Sequence, residues 1–519
     1  MEKFRLYLYI VLPCAVISFS YWSLFGANAL YTFHEYSDLG TFAYNMYFDL
    51  HYAGIAHGLQ LLIFGNHVAP DLLLMLPFYA LAQSPMTLLV IQSFVLAVTG
   101  VVVFVVAADL TRRPLLALAF SLAFFLNPGV FGMLVFDFHA ESLLILFYVL
   151  TFYFFMKNNK AAFFASSLLL LGAIEEAPFL GATLAVVLLL YAYRFSRESR
   201  LRRDRLVMAG GLLLLSMVVF GAYIGIDSVL AGSYAAGQYN GLPAVLQAFP
   251  IVQNQINSGA SAPFSELGYL FSGFYAQYTI YGVAIALFSF GFAVIFDPLS
   301  TAILVSPWFA ELFFVGNINF PTVFNQYFGF VLGGTIVASL LAIHKLQNSE
   351  GHAASFLLGD RNSHPFVVRK LIPYSLVGMA VMLLLLFPLM VYSRNVNSFS
   401  QDFLFQVSPQ MNQIYTQLYS VMAYLPQNAS VMTQYFIMSH VTDRKDIELL
   451  QNQTYYFLPE YVLVDFNLNV SLNAYSNGEP QYIQGYIQNH TNDYALYARN
   501  GSAILLFYHP NVTSGGNAG

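Results

Sequence analysis

Three short polar breaks in an otherwise apolar chain hold the residues whose types and spacing could do chemistry. Asp38 lies in YSDLG, Asp137, His139 and Glu141 in FDFHAE, and Glu175 and Glu176 in IEEAP. A carboxylate at such a break can accept a proton from an attacking hydroxyl, so Asp38, Asp137, Glu141, Glu175 and Glu176 are the candidate catalytic groups. Carboxylates joined by an imidazole can also hold Mg²⁺ or Mn²⁺, the nitrogen favouring the softer ion, and the candidate ligands are Asp38, Asp137, His139 and Glu176. Asp137, His139 and Glu141 stand at i, i+2 and i+4; an extended segment would align all three, a helix only the two carboxylates. Glu175 and Glu176 form a costly pair beside lipid unless one is protonated or a cation lies between them. Structural readings stand beside these. Ser37 or Asp38 suits a helix N-cap and Asp137 the cap of the next span. Glu141, Glu175 and Glu176 suit the positive end of a helix dipole, the last two just before Ala177-Pro178.

The elements that must position these groups are membrane spans. Only 9% of the 519 residues are charged and 58% are hydrophobic, with a mean hydropathy of +0.63. Several apolar runs approach the ~20 residues that cross a bilayer. This composition excludes a soluble enzyme with a large core, and nothing in it points to a nucleic-acid partner. Cys14 is the sole cysteine, so no intramolecular disulfide can form.

From Leu6 to Ser393 every Lys or Arg falls at Arg112-Arg113, Lys157 to Lys160, Arg194 to Arg205, Lys345, Arg361 or Arg369-Lys370. The FDFHAE and IEEAP breaks each lie between two of these clusters, and YSDLG lies between Lys3-Arg5 and Arg112-Arg113, so the breaks are expected on one face and the basic clusters on the other. Positive-inside bias then puts the basic face and the N-terminus, with Lys3 and Arg5, in the cytoplasm. Leu6 to Phe25 reads as a first span, not a cleaved leader. An outer loop, 27 to 67, follows; it carries His34, His51, His57 and His67, and Thr41 to Leu50 reads loosely as an interfacial helix. Pro70 to Leu81 is too short to cross and reads as interfacial or re-entrant. Further spans are expected at Thr87–Ala108, Leu115–Val135 (broken near Asn127-Pro128), Ser142–Met156, Ala161–Ile174, Phe179–Tyr193, Leu206–Leu230, Ile280–Phe296, Leu299–Val315, Tyr327–Ile343 and Leu371–Tyr392. That gives about eleven crossings, a polytopic domain over 1–393 and an outer C-terminus.

The tail, 394–519, is polar and rich in Asn, Gln and Tyr, and reads as a small α/β domain. Pro409 to Tyr424 suits a helix and Ala429 to Thr433 and Tyr461 to Phe466 suit strands. Tyr494 to Arg499 and Ser502 to Tyr508 flank Asn500-Gly501, a good hairpin turn. All of the N-x-Ser/Thr sequons, at Asn428, Asn452, Asn469, Asn489, Asn500 and Asn511, lie in this tail, which agrees with an extracytoplasmic location and N-glycosylation.

YSDLGTF, NHVAPDLLLMLPFYALAQSPMTLLVIQ, NPGVFGMLVFDFHAESLLI, LLLLGAIEEAPFL, NQYFGFVLGG and LPQNASVMTQYFIMSHVTDR with YVLVDF together resemble an archaeal and bacterial membrane family labelled domain of unknown function 2079. Its layout is similar to that of the C-type glycosyltransferases, which use polyprenyl-phosphate-linked sugars. Those enzymes carry an acidic residue in the first outer loop, a short interfacial helix, and a second acidic motif in the next outer loop. By that resemblance Asp38 matches the first carboxylate and Asp137 the second. His67, at the start of NHVAP, resembles the family pattern and, like Tyr327 in NQYFGF, is a candidate substrate-binding group; a tolerated interfacial histidine and an aromatic belt at the outer end of a span are the structural readings of the two. Arg394, the one outer basic residue next to a span, could pair with a lipid phosphate or simply anchor the helix end. Family members often carry Lys-Glu-Asp where this chain has Ile174-Glu175-Glu176; the missing cation points to a divalent metal in its place.

The expected function is therefore transfer of a sugar from a polyprenyl-phosphate carrier in the plasma membrane to an extracytoplasmic acceptor. A transporter or flippase of a lipid-linked or small polar substrate is the alternative, for which midplane charges on broken helices and repeated halves would speak. A non-catalytic surface protein is the third.

Overall fold

The computed structural model describes residues 2–33, 37–52, 68–196, 198–230, 273–290, 292–314, 328–348, 407–450, 458–468, 479–490 and 492–509. The chain divides into two compact units. One comprises Met1–Trp22, His67–Leu72 and Ile91–Tyr392; the other comprises Ser23–Asn66, Leu73–Val90 and Ser393–Gly519. The second unit thus includes the tail from Ser393 onward together with two segments from the N-terminal fifth of the chain.

The helical elements follow the apolar runs and stop where proline or a polar break interrupts them. They are α1 (Glu2–Tyr31), α2 (Ser37–His51), a 3₁₀ turn at Pro70–Leu74, α3 (Leu76–Leu81), α4 (Pro85–Thr111), α5 (Pro114–Phe125), α6 (Pro128–Phe136), α7 (Glu141–Met156), α8 (Lys160–Leu171), α9 (Ala177–Phe195), α10 (Ser199–Leu230), α11 (Gly273–Phe288), α12 (Pro298–Phe314) and α13 (Phe328–Asn348). Among the described residues six stretches are long and apolar enough to cross a membrane: Phe4–Tyr31, Pro85–Thr111, Pro114–Leu134, Ala177–Phe195, Ser199–Gly225 and Phe328–Lys345. Pro70–Leu81, Glu141–Met156, Lys160–Leu171 and Pro298–Ala310 are shorter apolar helices. The expected break falls between α5 and α6, where the Asn127 side chain accepts from the Gly129 N–H and caps α6. The expected continuous span Ile280–Phe296 is corrected: α11 ends at Phe288 and a separate 3₁₀ turn runs from Phe292 to Phe296. Ser289 bonds back to the Ile285 carbonyl at that end, a side-chain competitor for the helical backbone, and Pro298 opens α12. The expected span Leu371–Tyr392 lies outside the described residues.

In the helical unit the basic clusters meet. Lys157 pairs with Asp109 at 2.7 Å and Lys160 with Asp204 at 2.8 Å. The buried Arg205 donates to the Met156 carbonyl, and a His344 ring nitrogen lies 3.3 Å from the Leu110 carbonyl oxygen. The ends of α4, α7 and α13 and the start of α10 therefore share a face.

The second unit holds a five-stranded sheet of order β2-β1-β3-β5-β4, with β1 Val431–Thr433, β2 Ile447–Leu449, β3 Tyr461–Asp465, β4 Tyr494–Asn500 and β5 Ala503–Tyr508. β2, β1 and β3 are parallel, and β5 runs antiparallel to β3 and β4. Gly501, at φ +60°, makes the tight turn between β4 and β5, a backbone state that Cβ disfavours. One side of the sheet is covered by α14 (Pro409–Met422), which Ser408 caps through the Met411 N–H; Ile414, Tyr415, Leu418 and Val421 join Val431, Leu463 and Leu505 in the core. A further helix, α15 (Glu479–Asn489), puts Tyr486 into a smaller core with Val462 and Val464.

Candidate functional site

The FDFHAE break joins α6 to α7 inside the helical unit. Asp137, His139 and Glu141 are all buried, at 0%, 2% and 1% exposure. The segment is neither helix nor strand at Asp137 to His139, and Glu141 opens α7. Asp137 ends α6 with φ 155° and ψ −176°, a backbone region that side chains seldom occupy. Its carboxylate accepts from the N–H of Phe138, while Ala140 stands at the N-cap of α7 without a side-chain bond, so Asp137 does not cap the next helix. Gln92, in the first third of α4, holds the break in place: its Nε2 donates to the carbonyls of Met133 and Asp137, and its Oε1 accepts from the His139 N–H. On the other side Gly329 of α13 leaves room for Glu141; a Cβ there would lie 3.2 Å from the Glu141 carbonyl oxygen and 3.1 Å from Met133 Cε. This accounts for the first glycine of FGFVLGG.

The IEEAP break joins α8 to α9. Glu175 is 7% exposed and its Oε2 accepts from the Val68 N–H at 2.9 Å. Glu176 takes the N-cap position of α9 with no side-chain cap bond, and Pro178 sits in the first turn. Three residues after Val68, Asp71 donates its N–H to the Gly172 carbonyl, tying the Pro70–Leu74 turn to this loop. Asp71 is 6% exposed, and a Cβ at residue 172 would lie 2.5 Å from its Oδ1, so a side chain there would have to displace the carboxylate. Tyr223 of α10 donates to the Leu171 carbonyl at 2.7 Å and lies within electrostatic reach of both Asp71 and Glu175.

These two breaks and the basic face occupy opposite ends of the same helices. From Gln92 to Asp109 α4 rises about 25 Å, from Glu141 to Met156 α7 rises about 23 Å, and from Asp204 to Tyr223 α10 rises about 28 Å, at ~1.5 Å per residue. Those separations approach the ~30 Å of a hydrocarbon core.

Asp38 belongs to the second unit, in the first turn of α2 and half-buried. Its helix seats on the loop after β1: a Cβ on Gly40 would lie 2.9 Å from both Met438 Cγ and the Ser439 nitrogen, and the Tyr44 hydroxyl donates to the Lys445 carbonyl at 2.7 Å. The glycine of YSDLG thus permits the close approach of two segments nearly 400 residues apart. His67, Tyr327 and Arg394 lie outside the described residues. No group of three or more His, Cys, Asp or Glu side chains is gathered to hold a metal ion among the described residues.

Asp71, Gln92 and Tyr223 are the residues of these loops that motif reading passes over. Asp71 is hidden in the apolar run PDLLL and Gln92 in an apolar span beside Ser93; a strongly polar side chain inside each apolar stretch is the signal that could have flagged them.

No curated protein matches the chain. The family profile described as predicted membrane protein (DUF2079) matches residues 36–504, which takes in YSDLG, FDFHAE, IEEAP and most of the tail, and the chain belongs to that family.

Proposed function

We propose that this protein is a multi-pass membrane glycosyltransferase with the layout of the C-type enzymes, moving a sugar from a polyprenyl-phosphate carrier to an acceptor on the face that bears the acidic breaks. The observation that carries the reading is the burial of Asp137, His139, Glu141 and Glu175 at one end of helices whose other ends hold the basic clusters. Ionisable groups sealed in an apolar unit are costly, and their retention at one face speaks for use. On this reading there are about eleven crossings, the basic face and the N-terminus are cytoplasmic by positive-inside bias, and the tail is extracytoplasmic.

In the transfer step the acceptor oxygen attacks the anomeric carbon, the bond from that carbon to the phosphate oxygen breaks, and polyprenyl phosphate leaves. Asp38 or Asp137 takes the acceptor's proton. Gln92 fixes the backbone at Asp137 and His139, which holds the break rigid for that role. His67, Tyr327 and Arg394 are assigned to the donor's sugar and phosphate from the sequence pattern.

Turnover of polyprenyl-phosphate sugars by the purified protein in lipid tests this. Release of free lipid phosphate is expected, falling about 10²–10⁴-fold in Asp38→Asn or Asp137→Asn if that residue is the base. Intact donor across a broad panel would reject the enzyme. One feature favours transport as the second reading: the span Pro114–Leu134 is interrupted at Asn127-Pro128, and broken helices line the sites of many transporters. Uptake of substrate into vesicles without cleavage would decide for it.

A further inference from the structure

We infer that the basic face of the helical unit carries a binding site for anionic phospholipid, built from Arg194 at the end of α9 and Arg200 and Arg203 at the start of α10. It is independent of sugar transfer, whose donor phosphate would lie at the opposite, acidic end of these helices.

The stretch 194–205 holds six arginines against Glu198 and Asp204, and no lysine. A guanidinium presents a planar fork of N–H donors that fits two oxygens of one phosphate, whereas an ammonium acts as a point charge. The fold divides these arginines by task. Arg205 is buried, with Nη1 on the Ser196 hydroxyl at 3.1 Å and Nη2 on the Met156 carbonyl at 3.0 Å. Arg202 turns back as well, its Nε donating to the Ser196 carbonyl at 2.9 Å. These two fasten the α9–α10 link. Asp204 is engaged by Lys160 of α8. Arg194, Arg200 and Arg203 are left exposed.

Arg200 and Arg203 continue the lipid-facing side of α10. At ~100° per residue, Arg200, Val207, Leu214, Met217 and Val218 all fall within about 60° of Arg203. Val207, Leu214, Met217 and Val218 are 57%, 64%, 62% and 58% exposed, on a helix long and apolar enough to cross a membrane. Such a stripe has lipid tails for its solvent, and it runs directly into two guanidinium groups at the end where headgroup phosphates stand. On α9 the exposed Tyr193 and Phe195 flank Arg194, as aromatic residues of a membrane interface do. Positive-inside bias accounts for the number of basic residues on this face, but not for their alignment with the apolar stripe. Nor does the helix gain from them: cations in its first turn meet the positive end of its dipole, and no acidic residue there offsets them. A headgroup phosphate with no compensating amine supplies the missing negative charge.

Native mass spectrometry of the full-length protein, released from nanodiscs of phosphatidylglycerol and phosphatidylcholine in equal parts, tests the site. Phosphatidylglycerol is expected to be retained in preference. Arg200→Gln with Arg203→Gln should lower that preference roughly 30-fold, about fivefold for each arginine at a lipid surface, and Arg194→Gln about fivefold more. Arg112→Gln with Arg113→Gln removes the same charge from exposed positions on the same face and should leave the preference intact. Equal loss in the two double variants would overturn the proposal, because diffuse charge and not a site would then hold the lipid. So would equal retention of both lipids by the wild type, or displacement of the lipid by millimolar inorganic phosphate, which would make the site one for a free anion. None of these readouts involves donor turnover, so this site and the transferase reading can fail separately.

Discussion

Each unit of the molecule buries an ionisable side chain, and the two are treated in opposite ways. Arg444, in the sheet-bearing unit, is 4% exposed; its Nε donates to the Val441 carbonyl, Nη1 reaches the carbonyls of Pro426 and Ala429 at 3.3 Å, and Nη2 pairs with Asp443. Asp71, in the helical unit, is 6% exposed and lacks any comparable set of partners among the described residues. A buried charge whose hydrogen bonds are filled holds a loop together, and a buried acid whose bonds are not filled holds a proton or a ligand. The difference separates a buried charge whose bonds the fold fills from a buried acid whose Oδ2 it leaves unfilled among the described residues.

That contrast breaks most visibly at Arg444. Arg444→Leu removes the guanidinium and strands the carbonyls of Ala429 and Val441, at about 1–3 kcal/mol for each buried acceptor left without a donor, while the Pro426 carbonyl keeps the Ala429 N–H. The total is comparable with the ~5–15 kcal/mol that stabilises a whole domain. The variant is expected to lose the cooperative unfolding transition of the second unit in calorimetry while the helical unit keeps its own. An unchanged thermogram would mean that water replaces the guanidinium without loss.

The same contrast predicts opposite pH windows. His440 packs against Phe33 at 4.2 Å between ring centroids and against Tyr419 at 5.5 Å, and burial pushes its imidazole down to about 4. The unfolded chain, near 6.5, then binds the proton first, so stability of the second unit falls as the pH drops through about 6.5 toward 4. The loss is on the order of 3 kcal/mol at ~1.4 kcal/mol per pH unit. Asp71 runs the other way. Its folded carboxyl is raised, so its contribution is complete below about 4 and is lost as the pH rises through about 8. Thermal unfolding between neutral pH and pH ~5 should show the acid loss in wild type and a flatter curve in His440→Phe. Equal acid sensitivity in both would remove His440 as the cause.

A smaller effect probes the seat of the Asp38 helix. Gly40→Val would force a side chain into Met438 and the Ser439 nitrogen, and overpacking of this kind costs about 1–3 kcal/mol. Hydrogen exchange should quicken in both α2 and residues 434–445 while the β4–β5 hairpin keeps its protection. If only one of the two segments quickened, their contact would not be the point of strain.

How far these features were legible in the sequence differs between the units for a physical reason. Apolar runs, prolines and caps act locally, so α4, α9 and the α5–α6 break at Asn127-Pro128 stand where the pattern puts them. The Asn500-Gly501 turn is local too, and it appears with the positive φ that glycine permits. β2 was not legible: three residues of Ile447–Leu449 carry no alternation to read, and the strand exists only because β1 pairs with it. Nor was the seating of α2 on the loop after β1, since no local signal joins segments so distant in the chain. Of the site, the FDFHAE and IEEAP carboxylates were visible as charges in an apolar chain, but Gln92 and Asp71 were not, because each lies inside an apolar stretch and its role depends on which loop packs over it.

The least disruptive test concerns the sequons, and it sharpens the same distinction between engaged and free polar groups. Asn428, Asn489 and Asn500 are all exposed, so exposure alone would make them equal acceptors. Their side chains are not equal. The Asn500 Nδ2, the atom that a glycan would occupy, donates to Ser420 Oγ at 2.8 Å, and the hydroxyl of Ser502 in the same sequon is buried. Modification of the folded tail at Asn500 would have to break that bond and lift Ser502 out of the turn. In a host that glycosylates the extracytoplasmic face, intact-mass analysis with site mapping is expected to find Asn428 and Asn489 occupied and Asn500 bare. Ser420→Ala, which frees Nδ2 at a stability change within about 0.5 kcal/mol typical of surface positions, should raise occupancy at Asn500 without touching the other two. Occupancy at all three in wild type would show modification before the hairpin closes, and a tail bare at every sequon in such a host would place it on the cytoplasmic face and overturn the orientation proposed for both units.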